Sequence, residues 1–324
     1  MKCLFALLGI ALTASAYDPL TVPATPPSSP VDLICRDEAR ERDIPLRVFL
    51  PAATKPAAVV LFSHGLGGSR EGSAFLGRHW AARGYVAVFL QHPGSDEAVW
   101  KDTPPARRAL VMRGAASPAN FLARVQDVPV VLDRLETWNR TPKHALAGRL
   151  DLQRVGMSGH SFGAVTTQAV CGQSIPLGGA RFADPRLKAA VIFSPSTPAA
   201  GDATKAFAGV TRPWLLMTGT HDIARIGGTT IGAADLASRL GVYPALPPGG
   251  KYELVLHEAS HFAFTDRPDF GGEAPRNPNH HRVILAISTA FWDAWLKEDP
   301  AARAWLDGEA PRALMATEDR WQNK

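Results

Sequence analysis

The chain has 324 residues, 46% of them hydrophobic, and a formal net charge of +5 from 35 basic and 30 acidic side chains. Such a composition excludes global disorder, and the length suits one large α/β domain or two small ones. The positive excess is small and scattered, without a Lys/Arg run to track phosphates, so no nucleic-acid partner is expected; no repeat on the scale of a solenoid or propeller is visible either.

The first residues, MKCLFALLGIALTASA, carry one lysine, an apolar run from Leu4 to Leu12 and the small-residue triplet Ala14-Ser15-Ala16. This is the pattern of a secretory signal peptide, so 1–16 is read as a leader and the protein as exported, periplasmic or secreted. The apolar run is shorter than the roughly 20 residues that span a bilayer, and no other segment reaches that length, so no integral membrane span is expected. Two cysteines follow the leader, Cys35 and Cys171. An oxidising compartment permits a disulfide, but Cys171 falls late in a predicted buried helix, which favours two separate thiols. Residues 17–30, rich in Pro, Ser and Thr, read as an extended leading segment, and 31–324 as a single domain.

From residue 31 the segment VDLICRDEARERDIPLRVFLP reads as two strands around a polar turn. Ala57–Ser63 is a continuous apolar strand, followed by a helical stretch near Glu71–Arg83 and a strand at Tyr85–Gln91. The segment 91–117 is the longest irregular stretch. Residues 118–138 place Phe121, Val125, Val128, Leu132 and Leu135 at helical spacing. A strand at Arg154–Ser158 leads into a helix at Phe162–Cys171. Strands are then predicted at Leu187–Ser194, Pro213–Gly219 and Tyr252–Glu258, and a closing amphipathic helix at Asn279–Lys297. Strands apolar throughout are buried on both faces, and their alternation with helices is the βαβ pattern. The fold class is therefore α/β, with a mostly parallel central sheet flanked by helices.

Gly159-His160-Ser161-Phe162-Gly163 lies between a predicted strand and a predicted helix, the setting of a nucleophile elbow. A serine hydroxyl is a poor nucleophile until a base takes its proton. The helix that begins after Ser161 aims its first amides at developing negative charge. An earlier glycine-rich loop, His64-Gly65-Leu66-Gly67-Gly68, also follows an apolar strand. The expected oxyanion donors are the backbone N–H groups of Leu66 and Phe162, and the His64 ring is expected to pin that loop. The base should follow the last strand, where His261 stands; His257 is still inside the strand. His280 and His281 are expected to be solvated, and His92, His160 and His221 to play supporting or structural roles. The acid should end a strand at the ligand-binding edge of the sheet. Asp222, in TGTHD, does so, while Asp202 is the rival after the preceding strand. Trp100 and Phe262 are candidate substrate contacts. The order Ser161, Asp222, His261 is that of an α/β-hydrolase triad.

These segments carry a family resemblance. FSHGLGG with GHSFG resembles the platelet-activating-factor acetylhydrolase group and its dienelactone-hydrolase-like bacterial relatives, within the α/β-hydrolase superfamily. The resemblance covers most of the mature chain. It implies a serine carboxylic-ester hydrolase without metal or organic cofactor, acting through an acyl-enzyme on small or lipid-like esters. True dienelactone hydrolases use cysteine where this chain has Ser161. The plasma acetylhydrolase group places its acid after the strand that follows the nucleophile helix, where this chain reads FSPS. Polyester hydrolases and cutinases share the core layout but differ around the serine and in the oxyanion loop. Polyester cleavage and acyl transfer are the alternatives on the same site; a secreted binding protein on the same scaffold is the rival of a different class.

Overall fold

The computed structural model describes residues 17–226, 229–230, 235–266 and 277–324, so the leader expected at 1–16 lies outside the described residues. In chain order the elements are β1 (Val31–Asp37), β2 (Arg42–Phe49), β3 (Ala57–Ser63), α1 (Ala74–Ala82), β4 (Val86–Leu90), α2 (Pro105–Ala115), α3 (Pro118–Arg140), β5 (Leu150–His160), α4 (Phe162–Val170) and β6 (Leu187–Phe193). They continue with α5 (Ala203–Phe207), β7 (Trp214–His221), β8 (Arg225–Ile226), β9 (Thr229–Thr230), α6 (Leu236–Leu240), α7 (Val242–Ala245), β10 (Lys251–Ser260), α8 (Pro278–Leu296), α9 (Pro300–Asp307) and β11 (Arg320–Asn323). Residues 17–30 hold no helix or strand.

Nine strands form one sheet in the order β1-β2-β4-β3-β5-β6-β7-β10-β11. The six from β4 to β10 run parallel, and only β1, β2 and β11 are antiparallel to their neighbours. Every residue of β3 and β4 is buried, which is why their sequences are unbroken apolar runs rather than alternating ones. Alternate side chains feed two cores. Leu61, Val88, Met157 and Ile192 meet α3 and α4 on one face. Val60, Phe62, Phe89 and Val191 meet α1, α8 and α9 on the other.

The chain leaves β3 toward β4 on one side and returns to β5 on the other. Loops at such a reversal diverge and open a crevice at the strand C-termini. The loop after β3 and the turn after β5 therefore face each other across the place where a ligand can sit.

Several parts of the chain depart from the sequence reading, among them the short α5, β8, β9, α6 and α7 between the later strands. The supposedly irregular segment 91–117 contains α2 and a short 3₁₀ turn at Glu97–Val99. Of α2, only Met112 and Ala115 are buried, so no apolar stripe marks it as a helix. After α8 the chain adds α9, capped by the Asp299 carboxylate, which accepts the N–H groups of Ala301 and Ala302. The short, polar β11 then extends the sheet edge, its Trp321 stacked on Tyr252. Neither histidine opening α8 is simply solvated. His280 is buried with Nε2 2.9 Å from the His257 carbonyl, and His281 stacks on Phe75. Cys35 and Cys171 are separate buried thiols, and burial pushes the Cys171 thiol up to about 12. Among the described residues no helix is long and apolar enough to cross a membrane.

Candidate active site

Ser161 sits at the tip of the turn between β5 and α4 with φ 57° and ψ −114°. A non-glycine residue in that region stores backbone strain of about 1–3 kcal/mol. The surroundings hold it there. Its N–H donates to the Phe193 carbonyl at 3.0 Å, and its carbonyl accepts the Val165 N–H at 3.1 Å. Two glycines make the turn possible. A methyl on Gly163 would stand 1.9 Å from the Ser63 carbonyl oxygen, and one on Gly159 would stand 2.3 Å from the Gly163 carbonyl oxygen.

His261 opens a 3₁₀ turn directly after β10, where the chain leaves the sheet beside β7. Its Nδ1 lies 2.6 Å from Asp222 Oδ1, and its Nε2 lies 2.9 Å from Ser161 Oγ. With the Nδ1 proton directed to Asp222, Nε2 is left to accept from the serine hydroxyl. Asp222 is fully buried at the end of β7. Its Oδ2 accepts from the Thr218 hydroxyl at 2.7 Å, and Arg239 Nε lies 3.1 Å from Oδ1. Burial alone would raise this carboxyl. Arg239, His261 and the hydrogen bonds from His261 and Thr218 outweigh it and hold the group well below the usual carboxylate range. Asp202, the rival acid, caps α5 by accepting the Lys205 N–H.

His160, beside the serine, points the other way. Its Nε2 donates to the His261 carbonyl at 2.9 Å, and the two rings lie 4.6 Å apart. Burial, then the neighbouring His261, keeps it well below the ordinary histidine range, so it acts as a neutral support. His257 lies within β10, as expected. His221 is exposed at the end of β7, where it pairs with Ser260.

The loop after β3 runs against the serine: a methyl on Gly65 would come within 3.3 Å of Ser161 Cβ. Leu66 follows at the cavity wall. Phe162 is the first residue of α4, so its N–H has no acceptor within the helix. Both predicted oxyanion donors thus border the space in front of Ser161. The loop is pinned from several sides. His64 Nδ1 lies 2.7 Å from the Gly65 carbonyl, and its Nε2 accepts the His92 N–H at 3.0 Å. The Gly67 N–H donates to the Ser95 carbonyl, and Trp100 Nε1 donates to the Gly67 carbonyl, both at 2.8 Å.

Beneath the loop lies a buried polar array that sequence reasoning missed. Ser63 Oγ is 2.9 Å from His92 Nε2, and His92 Nδ1 is 2.8 Å from Asp127 Oδ2. Asp127 also receives Arg40 at 2.8 Å and Arg42 at 2.9 Å. Arg124, wholly buried, donates to the His64 carbonyl at 2.7 Å and to Ser95 Oγ at 2.8 Å, and its guanidinium lies 4.4 Å over the Phe162 ring. Burial lowers Arg124 to about 9; burial, followed by repulsion from Arg124, lowers His92 to about 4.

A cavity of about 680 Å³ opens over Ser161 and His261. Trp100 and Phe262 both line it, as does Met112 of α2. Gln168 gives it a rigid polar corner, its amide exchanging hydrogen bonds with the backbone of Ser196 at 2.8 and 3.1 Å. Among the described residues no cluster of His, Cys, Asp and Glu could hold a metal ion.

The arrangement supplies a hydroxyl, a base oriented to take its proton, a buried ionised acid and a cavity lined by Leu66 and Phe162 in front of the hydroxyl. Arg239, Thr218 and Gln168 gave no sequence signal, because each acts through a partner distant along the chain. No protein-family model matches the chain, and no curated protein matches it.

Proposed function

We propose that this protein is a serine carboxylic-ester hydrolase of the α/β-hydrolase type, similar to the acetylhydrolase and dienelactone-hydrolase-like group that its motifs resemble, and exported through its N-terminal leader. The observation that carries the reading is the unbroken line Ser161–His261–Asp222, with contacts of 2.9 and 2.6 Å, at the floor of an accessible cavity. The strand order and the positions of the three residues after β5, β7 and β10 support the fold assignment.

In this mechanism Ser161 Oγ attacks the ester carbonyl carbon as its proton passes to His261 Nε2. Asp222 holds the imidazole and stabilises the imidazolium. The Leu66 and Phe162 amides receive the oxyanion. The tetrahedral adduct collapses, the C–O bond to the alcohol breaks, and His261 gives its proton to the departing oxygen. Water then repeats the sequence on the acyl-enzyme, releasing the acid and restoring the serine. The substrate class is a small or lipid-like acyl ester, consistent with a cavity walled by Leu66, Trp100, Met112 and Phe262.

The test is fluorophosphonate labelling of the mature protein beside S161A, with the adduct mapped by mass spectrometry. An adduct on Ser161 that is absent from S161A is expected. A folded protein that takes no label would overturn the reading.

A further inference from the structure

The cavity has a charge character that a neutral ester would not require. Among the described residues no Asp or Glu lines it, whereas Arg108, Arg225 and Arg239 do. Arg239 is turned to Asp222, leaving Arg108 on α2 and Arg225 on β8. These two belong to one rim. Arg113 of α2 donates to the Thr230 carbonyl at 3.2 Å, and Thr230 is the strand partner of Arg225. The contacts of Arg108 are the Thr103 carbonyl, at 3.0 Å from Nε, and the Trp100 ring, 5.3 Å away. Among the described residues neither Arg108 nor Arg225 meets a carboxylate. Trp100, Met112 and Phe162 add apolar wall to the same cavity, and Trp100 and Met112 pack together against Gly67 in the loop beside Ser161. A guanidinium presents paired donors to an oxyanion, and a charge-assisted hydrogen bond is worth about tenfold or more in binding.

We propose that the site takes esters bearing an oxyanion group, a carboxylate or a sulfonate, on the end that reaches the Arg108–Arg225 rim, with an apolar spacer before the scissile carbonyl. The proposal rests on the ester-hydrolase reading. Two matched pairs test it: mono-p-nitrophenyl adipate against p-nitrophenyl hexanoate, and 4-sulfophenyl hexanoate against phenyl hexanoate. The first places the charge on the acyl half and the second on the alcohol half. In one pair the charged ester should lead by about tenfold in kcat/KM at low salt, and the lead should shrink above about 0.1 M salt. In R108Q/R225Q the ratio should fall to near one. Equal rates in both pairs, or a ratio that the double variant retains, overturn the proposal. Fluorophosphonate labelling separates the two layers. A protein labelled on Ser161 without charge preference loses only the rim, whereas a folded but unlabelled one loses the reading beneath it.

A second inference stands on Arg239 alone. This guanidinium is 3% exposed and touches three parts of the site. Nε donates to the Asp222 carbonyl at 2.6 Å and lies 3.1 Å from its Oδ1; Nη1 donates to the Ser194 carbonyl at 2.8 Å; Nη2 lies 3.3 Å from His261 Nδ1. The geometry points to Arg239 as a positioning residue that fixes Asp222 and sets the pH at which His261 becomes a free base. A fixed cation beside the imidazole opposes its protonation and extends the working range toward acid. Among the described residues the other titratable groups in contact with His261 are Asp222 from β7, 2.6 Å from Nδ1, and His160 from β5, its ring 4.6 Å away. Those of β10 and α8 are engaged elsewhere: His257 lies 3.7 Å from Glu258, His280 bonds the His257 carbonyl and His281 stacks on Phe75.

The test is the pH profile of Ser161 inactivation by a fluorophosphonate, which needs no knowledge of the substrate. In R239M the acid limb should move up by about one pH unit. In R239K, which keeps the charge, it should stay near the wild-type position while the plateau falls. A lower plateau with an unmoved limb in R239M, or a limb displaced by a full unit in R239K, would reduce Arg239 to a purely structural residue. R239K keeps the test open if R239M fails to fold.

Discussion

Two Ser–His–Asp arrays lie close together in this molecule. Ser161–His261–Asp222 has contacts of 2.9 and 2.6 Å, and Ser63–His92–Asp127 has contacts of 2.9 and 2.8 Å. Each acid is neutralised by arginine, Asp222 by Arg239 and Asp127 by Arg40 and Arg42. The hydrogen-bond pattern is the same; the surroundings differ. Ser161 is half-buried, borders the cavity, has φ 57° and precedes a helix whose first amide is uncommitted within the helix. Ser63 is wholly buried at the end of an extended strand, and Arg124 Nη1 lies 3.4 Å from its hydroxyl. The residue types alone therefore do not separate the two serines. Access, a held strained turn and a place for the oxyanion do.

The largest break in this comparison is at the two hydroxyls. S161A should lower kcat by about 10⁶ with little change in stability, if the three groups act as a unit. S63A should leave Ser161 reactive and lower unfolding free energy by about 1–3 kcal/mol, because His92 loses its partner in a dry interior. Ester turnover and denaturant unfolding of both variants decide the matter. A reactive S161A protein, or an unreactive but well-folded S63A protein, would reverse the assignment of the two arrays.

The acids sharpen it next. D222N should lower kcat by about 10⁴ through the wrong histidine tautomer. D127N should act on stability instead, by about 3–5 kcal/mol, since Arg40 and Arg42 lose their shared buried partner. Loss of Ser161 labelling in a folded D127N protein would mean that the arrays do not divide as described.

The last contrast is in pH dependence. Burial holds His92 at about 4 against an ordinary value of 6.5, so between those values the unfolded chain binds the proton and the folded one does not. The contribution is complete above pH 6.5 and is lost as pH falls toward 4, on the order of 3 kcal/mol. Asp127, held below the usual carboxylate range despite its burial, adds a loss in the same direction at lower pH. Unfolding free energy measured from pH 7 to 4 should fall, and H92N should flatten that slope. An unchanged slope in H92N would assign the loss to other groups, such as His160.

The legible parts of this protein are those written in local pattern. Unbroken apolar runs declared the buried parallel strands, helical spacing declared α3 and α8, and Gly159-His160-Ser161-Phe162-Gly163 after a strand declared a tight turn. Strand ends also located His261 and Asp222, because a parallel sheet gathers its C-terminal loops on one edge. Some local signals were passed over: Asp299-Pro300 is a helix start, and α9 follows it. Helix α2 was harder, since with two buried residues it lacks a periodic stripe.

The rest was decided by the tertiary structure. Arg239 and Asp222 are 17 positions apart, Ser63 and His92 are 29, and His92 and Asp127 are 35. No spacing rule joins such residues; Ser63, His92 and Asp127 meet where the ends of β3 and β4 come against α3, and Arg239 reaches Asp222 because α6 folds back against the end of β7. The choice of Asp222 over Asp202 has the same cause. Both follow strands, but only the end of β7 lies beside β10, and so only Asp222 meets His261. The sequence by itself determined the buried parallel strands, the two long helices α3 and α8 and the turn that presents Ser161, because those depend on neighbours along the chain. Which charges face the site, and which of two similar arrays opens to solvent, depended on contacts between distant residues.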